Sequence, residues 1–226
     1  MKNLLMFLTM SLLLICCSDN DSNLDTVIFK DLVLENGEII KMSFDDNGSA
    51  LFETAHMEKL YSEFVSLNPK HGIYISDTRK HPIIVSSIEK AIEFDQIDNP
   101  ISNLKANSRA TASFYDDRNF RDRRLTVTTT TCIEDDDLRN TYSTVPRKRG
   151  FNDKTSSVQV TGVGRLIMYD DRNFEDRFVM FSFNGFFPIR DFTWFTNPET
   201  NRLDSFNDKM SSYVLMCQPN FGMRCR

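Results

Sequence analysis

Two acidic, hydroxyl-bearing loops hold the residues of this 226-residue chain whose types and spacing could do chemistry: Phe151-Asn-Asp-Lys-Thr-Ser-Ser157 and Phe206-Asn-Asp-Lys-Met-Ser-Ser212. They supply carboxylate, amide, hydroxyl and carbonyl oxygens without a thiol or imidazole, the donor set that a hard cation such as calcium prefers. Each loop follows a hairpin signal, Tyr115-Asp-Asp-Arg-Asn-Phe120 or Tyr169-Asp-Asp-Arg-Asn-Phe174. The hairpin signals are offset by 54 positions and the loops by 55, so two similar units lie in tandem. The chain reads as a metal-binding module before it reads as an enzyme.

The elements that must position these loops are short strands. Each repeat opens with an apolar and aromatic strand, Ala112 to Tyr115 or Leu166 to Tyr169, followed by a turn and a second strand, Arg124 to Thr128 or Arg177 to Phe183. A looser stretch follows, and a last strand comes after the Ser-Ser pair, Val158 to Thr161 or Tyr213 to Cys217. Four short β-branched and aromatic strands per repeat, with no helical period, predict a Greek key. Two such keys can pack as one all-β sandwich, each burying the face the other needs. Tyr115, Phe120, Tyr169 and Phe174 read as hairpin and core residues, and Trp194, with Phe186, Phe187, Phe192 and Phe195 nearby, as core.

Tyr-x-x-x-x-Phe followed by Asn-Asp-x-x-Ser-Ser, twice and in this order, resembles a microbial βγ-crystallin domain of the calcium-binding kind, over about residues 110–218. The resemblance implies a paired clamp in which the two loops lie side by side and each contributes to two calcium sites. Carried over, the ligands would be the side chains of Asp153 and Asp208, the carbonyls of Lys154 and Lys209, and the hydroxyls of Ser156 and Ser211. Carbonyls of Asp116 and Asp170 would complete the protein's share. Asn152 and Asn207 would hold the loops by hydrogen bonds to their own backbone, as Asn does in turns, and Ser157 and Ser212 would face the structure. One departure is visible: the glycine the family places two residues after the hairpin phenylalanine is Asp122 or Asp176 here. Asp tolerates the left-handed region better than most residues. One carboxylate per clamp, with a lysine beside it, implies modest, extracellular-class affinity.

Composition shifts along the chain. Residues 17–108 hold 8 Lys and Arg against 16 Asp and Glu, whereas 109–226 hold 18 against 16, of which 15 are arginine. The shift predicts two domains of separate origin: a small α+β domain over 17–100, a linker over 101–109, and the sandwich over 110–226 with repeats at 110–162 and 163–218. In the first domain, apolar runs punctuated by Asn36-Gly37 and Asn47-Gly48 predict a three-stranded meander between Thr26 and Phe52. Thr54 can cap a helix carrying Met57, Leu60, Tyr61, Phe64 and Leu67 on one face, ended by Asn68-Pro69. Ile73 to Ile75 and Ile83 to Val85 read as further strands, and Ile88 to Phe94 is ambiguous. Asp45-Asp-Asn-Gly48 lacks the register of an EF-hand loop and reads as a hairpin turn. His56, His71 and His81 lack metal-site spacing and read as solvated or half-buried.

Lys2 followed by an apolar run from Leu4 to Ile15 and then Cys16-Cys17 has the form of a signal peptide over residues 1–16, too short to span a bilayer. Leu-Ile-Cys-Cys17 resembles a bacterial lipobox with Cys17 as the lipid carrier, which implies an exported protein anchored to the outer membrane or cell surface. Of the remaining cysteines, Cys217 and Cys225 could close a small disulfide loop, or all could stay as buried thiols. The basic residues Arg121, Arg123, Arg124 and Pro146-Arg-Lys-Arg149 are interleaved with acids, so a solvated mixed-charge face is expected rather than a nucleic-acid site. No nucleophile, base and orienter can be assembled from these residues, which disfavours an enzyme. The expected role is a calcium-stabilised structural or adhesive surface module, its rival a calcium-shaped recognition module for carbohydrate or a protein partner, inhibitor-like roles included.

Overall fold

A computed structural model describes residues 31–44, 50–99, 108–190, 192, 209–217 and 225. The signal sequence, Cys17, the Asp45 to Gly48 turn, most of the expected linker, Trp194, Asn207 and Asp208 lie outside them.

The first segment forms the expected meander, β1 (Asp31–Leu34), β2 (Ile39–Phe44) and β3 (Ala50–Phe52), with Gly37 at φ +92° in the first turn. Thr54 caps α1 (Ala55–Leu67), its hydroxyl accepting the Met57 N–H at 3.2 Å, and β4 (Gly72–Ser76) and β5 (Ile83–Val85) follow. The ambiguous stretch is helical: Ser87 caps α2 (Ile88–Asp98). His71 is buried rather than solvated. Burial lowers its pKa to about 4 against the effect of its ring N–H, which donates to the Asn68 carbonyl at 3.0 Å, so it packs uncharged.

The repeats form β6 (Ala110–Asp117), β7 (Arg121–Thr129), β8 (Cys132–Asp135), β9 (Ser157–Tyr169), β10 (Phe178–Asn184), β11 (Phe187–Ile189) and β12 (Ser212–Met216). The last strand of repeat one and the first of repeat two are a single strand, β9, bent at Gly162. That glycine has φ +96°, and a Cβ there would stand 1.8 Å from the Arg109 carbonyl oxygen. The third strands change sheets: β8 leaves repeat one to pair with β12, and β11 leaves repeat two to pair with the first half of β9. One sheet therefore runs β10-β9-β12-β8 and the other β7-β6-β9-β11, two Greek keys joined as one sandwich.

The two halves of the chain are built into one another. β4 pairs in parallel with β10, Gly72 opposite Phe178 through Ser76 opposite Ser182, so one sheet runs β3-β2-β1-β5-β4-β10-β9-β12-β8. Alternation along its strands presents two apolar faces. On one, Tyr61 and Val65 of α1 join a core with Ile73, Ile75, Val179, Phe181 and Phe114 of the sandwich. On the other, Ala91 of α2 lies in one cluster with Tyr74, Ile167, Phe178, Met180, Val214 and Met216. The fit is close, since a Cβ on Gly72 would stand 2.3 Å from the Phe178 ring. Asp95 of α2 and Arg165 of β9, each 4% exposed, form a buried ion pair, and Asn99 bridges Asp95 to Ser182. The charge asymmetry that separates the halves in sequence thus joins them in space. The expected independence of their cores is replaced by a shared core, because the outer face of the β10 sheet is apolar and needs α2 over it.

The disulfide is Cys132–Cys225, with Cys217 a buried free thiol, in place of a Cys217–Cys225 loop. Cys132 opens β8, and the bridge ties the C-terminal end to that edge strand.

Candidate metal centre

Each Tyr-x-x-x-x-Phe hairpin folds over with three residues in the left-handed region: Asn119, Phe120 and Asp122 at φ 57–60°, and Asn173, Phe174 and Asp176 at φ 60–63°. The two Asp residues thus take the conformation expected where the family places glycine. A phenylalanine at positive φ is strained, and the same device holds it in both repeats. The Ser157 hydroxyl accepts the Phe120 N–H at 3.1 Å and donates to the Asp117 carbonyl at 2.7 Å. Ser212 treats Phe174 and Asp171 alike, at 3.2 and 2.7 Å. The rings close edge to face, Tyr115 on Phe120 at 5.5 Å and Tyr169 on Phe174 at 5.6 Å. The second serine of each pair therefore clasps a hairpin, as its expected inward role requires.

The first serine of each pair faces the candidate ligands. Backbone bonds set its place: the Ser156 N–H donates to the Tyr115 carbonyl at 2.8 Å, and the Ser211 N–H to the Tyr169 carbonyl at 3.0 Å. The Ser156 hydroxyl then lies 2.5 Å from the Asp116 carbonyl oxygen. The Ser211 hydroxyl lies 3.1 Å from the Asp153 carboxylate and 3.3 Å from the Lys209 carbonyl oxygen. Asp153, at φ 52°, is held across the repeats by its N–H, which donates to the Met210 carbonyl at 3.1 Å. The carboxylate of loop one thus meets the hydroxyl of loop two, which also faces the Lys209 carbonyl of its own loop, while the hydroxyl of loop one meets the carbonyl of its own hairpin.

Of the ten candidate metal residues, eight are described. Asp153, Lys209 and Ser211 come together at one place and Ser156 and Asp116 at another; Lys154 follows Asp153, half-buried. Asp170 is buried, and its carboxylate bonds Arg177. Burial pushes that carboxyl above its ordinary range while Arg177 opposes the shift, so the side chain is engaged by the guanidinium and the backbone carbonyl is the group left for a cation. Asn152 differs from expectation: its amide N–H donates to the Asp153 carboxylate at 2.6 Å rather than to its own backbone, and its Oδ1 is buried without a partner among the described residues. The donors fit a hard cation, being oxygens of mixed type gathered from two loops and a hairpin. Among the described residues no three His, Cys, Asp or Glu side chains converge, so a transition-metal centre has no ligand set there.

Arg123, expected on a solvated mixed-charge face, is buried instead, because carbonyls and an aromatic ring enclose its guanidinium. Its guanidinium donates to the Gly150 carbonyl at 2.6 Å and the Lys148 carbonyl at 3.3 Å, and lies over the Phe151 ring, 5.5 Å from the centroid. It also approaches the Asp116 carboxylate at 3.8 Å. The available signal was the repeated seven-residue spacing of Asp116 to Arg123 and Asp170 to Arg177.

No family model matches the chain, and no curated protein matches it. Among solved structures, one from work on the evolution of the eye-lens βγ-crystallin domain fold is 23% identical, covering 51% of this chain and 90% of its own at a TM-score of 0.32. A βγ-crystallin from Ciona intestinalis is 19% identical, covering 46% and 95% at 0.30, and spherulin 3a from Physarum polycephalum 23%, covering 47% and 82% at 0.29. These similarities span about half of the chain. The strand exchange and the twin clasped hairpins make the repeat half a two-motif Greek-key sandwich.

Proposed function

We propose that this protein binds calcium through its paired Asn-Asp-x-x-Ser-Ser loops and that the ions stiffen a sandwich with a structural or adhesive role at a bacterial surface. The observation that carries this is the meeting of the Asp153 carboxylate, the Ser211 hydroxyl and the Lys209 carbonyl from two separate repeats. Bound calcium would supply a multivalent charge tying two loops and a hairpin together. The chain's residues do the rest: Ser157 and Ser212 clasp the hairpins, and Arg177 turns the Asp170 carboxylate aside. Between ion-binding states no bond is made or broken, and the reading is non-catalytic. The recognition alternative draws no support from an aromatic platform among the described residues, whose exposed aromatics, Tyr142 and Phe186, stand on separate loops.

Isothermal titration of the full chain tests the reading. Wild-type protein is expected to bind calcium with modest affinity, and the Ser156→Ala, Ser211→Ala double variant to lose at least tenfold, about 1.4 kcal/mol. Equal binding by both proteins would remove the first serines from the site, and no binding by wild type at millimolar calcium would end the proposal.

Attachment through a lipidated Cys17 is part of the same proposal and rests on the sequence alone. A single acyl chain binds a membrane only marginally, whereas a multiply acylated cysteine anchors firmly. The Cys17→Ala protein is expected in the soluble fraction and wild type in the membrane fraction; soluble wild type would contradict the anchor.

A further inference from the structure

We propose that the hairpin over residues 142–149 is a docking surface for an anionic lipid bilayer, one that turns this face of the protein, anchored as read above, toward the membrane. The stretch between Asp137 and Asp153 carries Arg139, Arg147, Lys148 and Arg149 and no acid, in a chain of net charge −5. Acids that border it in sequence or space are already engaged. Asp137 pairs with Arg139, the Asp135 carboxylate accepts the Thr141 hydroxyl and the Asp137 N–H, and Asp116 faces the buried Arg123. Arg147, Lys148 and Arg149 stay exposed, and among the described residues none of them has a carboxylate partner. The interleaved charges of the sequence thus leave three unpaired cations together on one hairpin.

The hairpin is preformed. The Ser143 N–H donates to the Lys148 carbonyl at 2.9 Å, the Lys148 N–H to the Ser143 hydroxyl at 2.9 Å, and the Gly150 N–H to the Thr141 carbonyl at 3.0 Å. The Arg124 N–H donates to the Val145 carbonyl at 2.6 Å and the Thr126 N–H to the Thr144 hydroxyl at 2.8 Å, which fixes the hairpin along β7. Docking therefore costs little ordering of the loop. Two apolar groups accompany the cations: Tyr142 and Val145 are each 52% exposed, and the Arg147 guanidinium stands 5.3 Å from the Tyr142 ring centroid. At a bilayer interface the cations meet headgroup phosphates, the tyrosine sits at headgroup level and the valine enters the acyl boundary. A soluble polyanion would engage the cations and leave Val145 in water, so the combination favours a bilayer. Each cation near an anionic surface strengthens binding about fivefold. Such a contact is weak and reversible alone, which keeps the Cys17→Ala protein soluble, whereas an anchored protein presents the hairpin at high effective concentration and is oriented by it.

The test uses the full-length Cys17→Ala protein in chelator, so that neither the anchor nor calcium contributes. Its binding is measured to vesicles of phosphatidylglycerol with phosphatidylcholine and to vesicles of phosphatidylcholine alone. Binding is expected to the anionic vesicles only and to weaken as salt rises. Adding Arg147→Ala, Lys148→Ala and Arg149→Ala is expected to weaken it by at least about tenfold at an unchanged melting temperature. Val145→Ser keeps every charge and is expected to lose about fourfold on vesicles while binding dextran sulfate like its parent. A parent that ignores anionic vesicles at low salt, or a triple variant that binds them like its parent, overturns the proposal. Val145→Ser binding vesicles as its parent does would assign the hairpin to a soluble polyanion and overturn the bilayer. Because the anchor is absent throughout, failure here is distinct from failure of lipidation at Cys17, which fractionation of the wild type reads.

Discussion

A chain shortened to begin at Ser108 is expected to fail as a soluble folded unit. Without the first segment, β10 loses β4 from its edge, although six of its seven residues are buried in the whole protein. Ile167, Phe178, Met180, Val214 and Met216 lose the cluster they share with Tyr74 and Ala91. Each apolar side chain returned to water costs about 1.5–3 kcal/mol, so losing the cover over even part of this set rivals the roughly 5–15 kcal/mol by which whole domains are stable. A bare apolar face beside an open sheet edge also invites aggregation. Circular dichroism and light scattering of the shortened chain decide the matter. A monomeric, cooperatively melting fragment would show that the sandwich keeps its own core.

Asp95→Ala is expected to destabilise the full chain by about 3–5 kcal/mol, because it leaves the Arg165 guanidinium buried without its countercharge. Part of that energy is desolvation of the arginine, so removing both charges should cost less. Asp95→Leu with Arg165→Met is expected to recover most of the loss, replacing a desolvated pair by apolar contacts. Denaturant unfolding of the three proteins measures the difference. A loss below about 1 kcal/mol in Asp95→Ala, the size of an exposed pair, would mean that Arg165 reaches water or another partner.

The repeat half was legible because its signals are local. Tyr115 to Phe120 and Tyr169 to Phe174 announce hairpins, and each Ser-Ser pair divides into a serine facing the candidate ligands and a clasping serine according to its position after them. The first two strands and the last of each repeat showed as apolar runs. β8 and β11 did not, since Cys132-Ile-Glu-Asp135 and Phe187-Pro-Ile189 are short and carry no alternation, and their exchange between repeats depends on partners far along the chain. The union of the halves was hidden for a related reason. A change from lysine to arginine marks a difference in surface chemistry, but the pairing of β4 with β10 is written only in burial on both strands. The Cys132–Cys225 bridge spans 93 residues and was equally nonlocal. Of the candidate metal set, the oxygen types could be read from the loops, whereas the role of Arg123 needed the fold to bring Gly150 and Asp116 to one guanidinium.

Calorimetric melting of the full chain with and without calcium tests the central claim most directly. Ions held only by folded loops stabilise by mass action, about 2.7 kcal/mol per site at 100 times Kd. At about 2–4 °C per kcal/mol for a chain of this length, saturating calcium is expected to raise one shared transition by about 5–11 °C per filled site. It is also expected to raise the Ser156→Ala, Ser211→Ala protein by no more than about half as much, because a loss of at least tenfold leaves calcium at no more than about 10 times Kd. A wild-type melting temperature that stays fixed from chelator to millimolar calcium would contradict the paired clamp.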